Sequence, residues 1–307
     1  MYFLTEAERK MFLKKMLPKA RRLDVNDELR GWNWHLPTLE PSYEERLGVF
    51  EVSNAYCPTH RDLYLNRVLK NKLKPNYFMI SGKAFHQILV DVVTHAKRLI
   101  YTYGVHNLQE LIAELRKPVE ITWPSEMYSL SDEQKAELKI KGNFLRDYEQ
   151  SRICSRVEEI LTQQPYIGSD SLAHLAAPIV CENKLDGRFL GLSPYLSADA
   201  FVLSEPMILD FKFGQPEEFH RLATTGYALV MEAIHEVPVN LGCIIYGQFK
   251  NERLIVTKDM HFIDDELRQW FIESRDEKMR MIFEEIDPGL ADNCKEFCPG
   301  YSLCHTN

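Results

Sequence analysis

Residues 196–214 read Leu-Ser-Ala-Asp-Ala-Phe-Val-Leu-Ser-Glu-Pro-Met-Ile-Leu-Asp-Phe-Lys-Phe-Gly. Apolar residues fill both halves, and Ser204-Glu205-Pro206 between them is a turn signal, so the stretch predicts two antiparallel strands. Asp199 falls in the first strand. Asp210 and Lys212 fall in the second and, at the period of a strand, point to the same face. Antiparallel pairing brings Asp199 towards Asp210. Two ionised carboxylates repel unless a cation joins them. Hard oxygen ligands in that pattern suit Mg²⁺ or Mn²⁺. A lysine on the same face can orient a water or steady charge developing on a phosphate. This is the equipment of metal-assisted phosphodiester hydrolysis. The plainer alternative is an exposed Asp210–Lys212 pair on a half-solvated strand. Against it, Asp210 follows Met-Ile-Leu and is flanked by Phe211 and Phe213, and a carboxylate in so apolar a setting needs a partner.

Outward from this pair, alternation predicts strands over 178–184, 188–202 with a break near Pro194, 206–213, 239–247 and 253–258. Helices are expected at 59–71, 81–101 with Ser81 as N-cap, 107–117, 131–163 starting at Ser131 and stopped by Pro165, 216–235 and 262–286. Residues 31–50, with Gly31, Pro37 and Pro41, read as a loop. The order of elements predicts an α/β (α+β) chain: a mixed sheet flanked by helices. It divides into a basic helical segment (1–56), a helical region (57–165), a sheet core with flanking helices (166–290) and a cysteine tail (291–307), with 57–304 as one compact unit.

The chain has 307 residues, 45% of them hydrophobic and 27% charged. That is enough to bury a real core. No apolar run is long enough for a transmembrane helix. The first ten residues lack a basic region followed by an apolar stretch, so a secretory signal is not expected and a cytoplasmic location is. The net charge of −8 excludes a bulk polycation that coats nucleic acid. It does not exclude a local basic surface. Residues 1–22 carry seven bases against Glu6 and Glu8, and Leu4, Met11, Phe12 and Met16 give them an amphipathic pattern: a solvated helix or a phosphate-contacting surface. Residues 264–293 hold ten acids and four bases. That segment supplies most of the acidity and would face a partner or water.

Of seven cysteines, Cys294, Cys298 and Cys304 close the chain in Cys294-Lys-Glu-Phe-Cys298-Pro-Gly-Tyr-Ser-Leu-Cys304. Cys57, in Tyr56-Cys57-Pro58-Thr59-His60-Arg61, is a fourth candidate. Four thiolates suit tetrahedral Zn²⁺ or a [4Fe–4S] cluster, and spacing does not separate these. His305 is another candidate ligand for a three-cysteine zinc site. Cys154, Cys181 and Cys243 lie in apolar or helical surroundings and read as core.

These motifs together resemble a family. Leu-Asp210-Phe-Lys212-Phe-Gly, preceded by Glu182 and Asp199, resembles the PD-(D/E)xK core of RecB-like nucleases. Gly82-Lys-Ala-Phe-His86 matches the family's Gly-x-x-x-His, whose histidine is a metal ligand. Tyr227 matches the tyrosine of its helix motif Gln-x-x-x-Tyr, while Ala223 stands where the glutamine would be; nearby His220 and Arg221 are candidates to replace its nucleic-acid contacts. One early cysteine and three late ones around such a core resemble the iron–sulfur nucleases of the AddB and Cas-four type, and the length resembles the longer archaeal Csa-type variant of these CRISPR-associated exonucleases. The tail spacing of three then five residues departs from the family's two then five. The resemblance covers about 57–304.

It implies a [4Fe–4S] cluster on Cys57, Cys294, Cys298 and Cys304, with zinc as the other choice. It implies Mn²⁺ or Mg²⁺ on His86, Asp199, Asp210 and the Phe211 carbonyl. Lys212 would activate the water, Glu182 would hold a second metal or position Lys212, and Tyr227 would contact the strand. The implied activity is exonucleolytic cleavage of single-stranded DNA in CRISPR spacer acquisition beside the integrase proteins, without a membrane and with oligomerisation left open. Two other functions stay open: a DNA-binding or assembly subunit with a vestigial nuclease fold, and a zinc-stabilised nucleic-acid-binding protein.

Overall fold

The computed structural model describes residues 1–307 except 203–205, 252, 295, 297 and 306–307. Ser204 and Glu205 of the expected turn therefore lie outside the described residues. Five strands form one sheet: β1 (Val180–Leu185), β2 (Leu196–Val202), β3 (Met207–Lys212), β4 (Leu241–Lys250) and β5 (Arg253–Phe262). They stand in the order β1-β2-β3-β4-β5, antiparallel except where β3 meets β4 in parallel. That parallel pair requires a crossover. Four long helices matter here: α1 (Tyr77–Tyr103), α2 (Asp132–Gln163), α3 (Arg221–His235) and α4 (Asp265–Phe283). The crossover between β3 and β4 is α3.

Alternation along the strands feeds two hydrophobic clusters. On one face Ala200, Val202, Leu209 and Phe211 pack with Phe85, Ile88 and Val92 of α1 and Leu145 and Ile153 of α2. On the other, Ala198, Phe201 and Ile208 pack with Leu222, Ala228 and Leu229 of α3 and Phe271 and Met279 of α4. The mixed sheet flanked by helices is the expected architecture. The start of α2 is also as expected: the Ser131 hydroxyl accepts from Gln134 N–H in a capping box. A short helix, Ser169–Ala176, was not expected.

Two local expectations are corrected. The first helix of the core starts at Tyr77, capped by Asn76, whose side chain accepts from Met79 N–H; Ser81 lies inside it and donates to Phe78 O. An asparagine is as good a cap as a serine and sits one turn earlier. The strand expected from 188 begins only at Leu196. Arg188–Leu190 form a short 3-10 turn and Gly191 is left-handed at φ 68°. A Cβ at Gly191 would lie 2.7 Å from Pro41 Cγ, so this turn is pressed against the 31–50 loop.

The acidic α4 does not bury a simple apolar stripe. Arg268, Arg275 and Lys278 are 0%, 1% and 2% exposed. Arg268 pairs with Glu232, Arg275 donates to Leu39 O and Leu190 O, and Lys278 donates to Val52 O and Asn54 O. The carboxylates therefore keep the outer face nearly to themselves. Arg30 completes the buried group: its guanidinium lies 2.8 Å from Glu232 and 2.7 Å from Asn240 Oδ1. Among the described residues no helix is long and apolar enough to cross a membrane.

Candidate active site

The β2–β3 ladder pairs Ala200 with Leu209. Its next step puts Asp199 opposite Asp210, the juxtaposition expected from the sequence. There Phe211 N–H donates to Asp199 Oδ2 at 3.0 Å. Asp210 is buried, 4% exposed. Its Oδ2 lies 2.8 Å from Lys212 Nζ but off the angle of a hydrogen bond, so that buried oxygen lacks one. Burial pushes the Asp210 carboxyl up; Lys212 opposes this and Asp199 adds to it. Burial alone would lower the Lys212 ammonium, but Asp210 and Asp199 outweigh it and hold it above the usual lysine range.

From the far side of the sheet edge, α1 delivers His86. Its Nε2 meets Glu182 Oε1, and its Nδ1 lies 3.5 Å from Asp199 Oδ2. Burial works to lower the imidazole pKa, yet Glu182, Asp199 and Asp210 together raise it. Glu182 is drawn down to about 2, first by His86 and then by Ser197 against the cost of burial. Its second oxygen accepts from Ser197 Oγ at 2.6 Å and from Lys184 Nζ at 3.3 Å. Glu182 itself is in the left-handed region, φ 51°, uncommon for a residue with a side chain, while the β1–β2 register continues on both sides of it. Tyr227 of α3 is half-buried; burial raises its phenol well above the usual range, and Asp199, Asp210 and Glu182 add to the shift. The hydroxyl stays protonated within electrostatic reach of the carboxylates.

Thus His86, Glu182, Asp199, Asp210, Phe211, Lys212 and Tyr227 gather across β1, β2 and β3. Three carboxylates lie together, with Lys212 on Asp210, Lys184 on Glu182 and the His86 imidazole between Glu182 and Asp199. Carboxylates held this close, one of them buried, call for a cation to offset their charge. The donor set of carboxylate oxygens and one imidazole fits a hard divalent ion. Among the described residues no three His, Cys, Asp or Glu side chains are already closed to metal-binding geometry, at either this site or the thiol site below.

Ala223 is 5% exposed and packs in the core. His220 and Arg221, the candidates to replace the glutamine's contacts, are both engaged within the chain. His220 is 2% exposed and lies between Tyr56 Oη at 2.7 Å and Tyr246 Oη at 3.0 Å. Burial lowers its imidazole to about 4, with Lys212 adding to the shift. Arg221 is engaged twice by Asp259. Sequence reading missed Lys184, Ser197 and the Tyr56–His220–Tyr246 chain. No local pattern marked the first two: Lys184 meets Ser197 only through the β1–β2 register.

Cys57, Cys294, Cys298 and Cys304 line one pocket of about 10 Å³ together with Arg61. Burial raises the Cys298 and Cys304 thiols, and Cys294 and Cys57 add to both shifts; Arg61 opposes that of Cys304. Arg61 also holds Asp287 at 2.8 and 2.9 Å, and Thr59 Oγ1 donates to Gly289 O. These contacts seat the tail against the first cysteine. The soft thiol donors fit zinc or an iron–sulfur cluster. His305 stacks on Tyr301 at 4.3 Å and does not line the pocket. Cys154 and Cys243 are buried, as expected, while Cys181 is half-buried.

Comparison with known proteins places these geometries in a family. The family model for the CRISPR-associated exonuclease Csa1 matches residues 1–307. A relative from Saccharolobus solfataricus described as CRISPR-associated exonuclease Csa1 is 29% identical over 310 residues, covering 99% of each chain. One of the same description from Thermoproteus tenax is 29% identical over 284 residues, covering 92% of each.

Proposed function

The chain belongs to the Csa1 family of CRISPR-associated exonucleases, and from that premise we propose that it is a divalent-metal-dependent deoxyribonuclease acting on single-stranded DNA during spacer acquisition. The observation that carries the reading is the convergence of Asp199, Asp210 and Lys212 across β2 and β3 with His86 and Glu182 beside them. His86, Asp199, Asp210 and the Phe211 carbonyl would hold Mn²⁺ or Mg²⁺. When bound, the ion supplies charge to a scissile phosphate and acidity to a water. Lys212, kept charged by Asp210, orients the water and offsets charge growing on the phosphate. Glu182, fixed by Ser197 and Lys184, positions His86 or takes a second ion. Tyr227, kept neutral, donates a hydrogen bond to the incoming strand. His220 holds Tyr56 and Tyr246 at fixed positions beside Lys212.

The four thiols would hold a [4Fe–4S] cluster, or zinc as a second reading. Either would join segments far apart in the chain and clamp the tail to the core. The function is tested by incubating labelled single-stranded DNA with Mn²⁺. The parent chain should cleave it and Asp210→Ala should not, with an unchanged circular dichroism spectrum. Undiminished cleavage by the variant would overturn the assignment. Binding without cleavage by the parent under every divalent metal would support an assembly subunit instead. Spacer acquisition is tested by pull-down against the integrase proteins.

A further inference from the structure

Away from the carboxylates, a pocket of about 580 Å³ opens between two loops and is lined by Trp34, His35, Glu40, Pro41, Arg188 and Phe189. That volume suits a small ligand. Its floor is aromatic: the Trp34 and Phe189 rings lie 4.8 Å apart at 36°, and Trp34 meets His35 edge-on at 5.7 Å. Phe189 is 47% exposed, so a π face is open to a guest.

The walls are held rigidly. Buried Arg275 donates to Leu39 O at 2.8 Å and to Leu190 O at 3.1 Å, tying one loop to the other. Ser193 N–H donates to Leu47 O at 2.9 Å, and left-handed Gly191 abuts Pro41. A pocket already ordered loses little entropy on binding.

The polar groups say what kind of guest fits. Arg188 is engaged by Asp186 at 2.6 and 2.9 Å, so its charge is already offset. Glu40 makes no side-chain hydrogen bond or ion pair among the described residues, and its carboxylate only accepts. Such a pocket repels a phosphate. It favours a flat neutral ring with N–H donors at its edge, which is a nucleobase bearing an exocyclic amine. Thymine has no exocyclic amine, and its single N3–H lies between two carbonyl oxygens that a carboxylate repels.

The pocket is also joined through the backbone to the strands of the carboxylate cluster. Arg188 and Phe189 belong to the β1–β2 connection, which joins the strands carrying Glu182 and Asp199. Lys184 and Tyr195 flank them, with Tyr195 90% exposed. Cations interleaved with open aromatic faces are how proteins hold single strands. The geometry points to a base-stacking subsite: Phe189 and Trp34 stack one base of the single-stranded DNA substrate outside the carboxylate cluster, and Glu40 selects adenine, cytosine or guanine over thymine. This rests on the nuclease reading for the identity of the strand.

The test is fluorescence anisotropy of labelled dA, dC and dT homopolymers with the full chain, without Mn²⁺ so that nothing is cleaved. The parent should bind dA and dC more tightly than dT. Phe189→Ala should weaken binding about tenfold, the loss of one stacked base. Glu40→Gln should erase the preference over dT. A 2-aminopurine base should lose fluorescence on binding to the parent and keep it with Phe189→Ala. Both positions are exposed, so the variants should melt like the parent. Variants that bind every homopolymer as the parent does, or a parent that binds none, would overturn the subsite. Asp210→Asn separates the two readings: it should lose cleavage in Mn²⁺ and keep the base preference. Cleavage that survives Asp210→Asn fails only the nuclease reading, and unaltered binding by Phe189→Ala fails only the subsite.

Discussion

His86 and Glu182 are 96 residues apart in sequence and are joined by a hydrogen bond across the edge of the sheet. Glu182 makes it from φ 51° inside a strand. A left-handed backbone at a non-glycine residue is costly and is kept where the surroundings enforce it. Here Ser197, Lys184 and His86 all hold the carboxylate. The result is a compact acidic site with Lys184, Lys212 and the His86 imidazole set against its carboxylates.

That charge balance predicts metal-linked stability. Mn²⁺ should raise the melting temperature, since a ligand of the folded state stabilises by mass action. Asp199→Asn and Asp210→Asn should each abolish most of the rise. A rise of equal size in both variants would place the ion elsewhere.

Glu232 sits at 0% exposure between Arg30 and Arg268. Removing one partner from a buried ionic group leaves charge uncompensated, at a cost of about 3–5 kcal/mol. Glu232→Ala should lower stability by that amount in urea unfolding and loosen the loop that carries Trp34. A loss under about 1 kcal/mol would show the group to be replaceable.

Gly31 packs so closely on α3 that a Cβ would lie 1.9 Å from Leu229 O. A backbone carbonyl cannot swing away as a side chain can. Gly31→Ala should cost about 3 kcal/mol, the upper end for overpacking. A melting temperature equal to the parent's would show that the loop shifts freely.

Burial lowers the Lys278 ammonium to about 8, from 10.5 in the unfolded chain. Below about pH 8 it is charged in both states and its burial is a cost. As pH rises through 8 the folded chain sheds the proton while the unfolded chain keeps it up to about 10.5, so this contribution to stability rises across that window. Lys278→Met should lack the rise. Parent and variant melting temperatures that keep a constant gap from pH 7 to 10 would contradict it.

The thiol pocket predicts a split among the cysteines. Cys57→Ser, Cys298→Ser and Cys304→Ser should each reduce the iron or zinc that copurifies without oxygen. Cys154→Ser should retain it, since Cys154 is buried away from the pocket. Metal analysis and the visible spectrum check both, because iron–sulfur clusters are coloured and zinc is silent.

Much of this was legible in short stretches of chain. Alternation around Asp199 and Asp210 specified two antiparallel strands, and the ladder from Ala200–Leu209 bears this out. Ser131 marked the start of α2. Each such signal works because its physics is local: side-chain period, capping and turn preference act between near neighbours. The strand expected from 188 failed for the converse reason. Apolar Phe189 and Leu190 suggested a strand, but contact with a distant proline and a buried arginine turned them into a pocket wall.

The sequence by itself determined which residues could do chemistry and in what order: His86, Glu182, Asp199, Asp210, Lys212 and the four cysteines. Only the tertiary structure decided how their charges balance. It made Glu182 face His86, enclosed His220 between two tyrosines, and sank Arg268, Arg275 and Lys278 beneath an acidic surface. Those outcomes depend on burial and on partners far along the chain. The energy of a charge is set by its surroundings in space, and residue order does not record them.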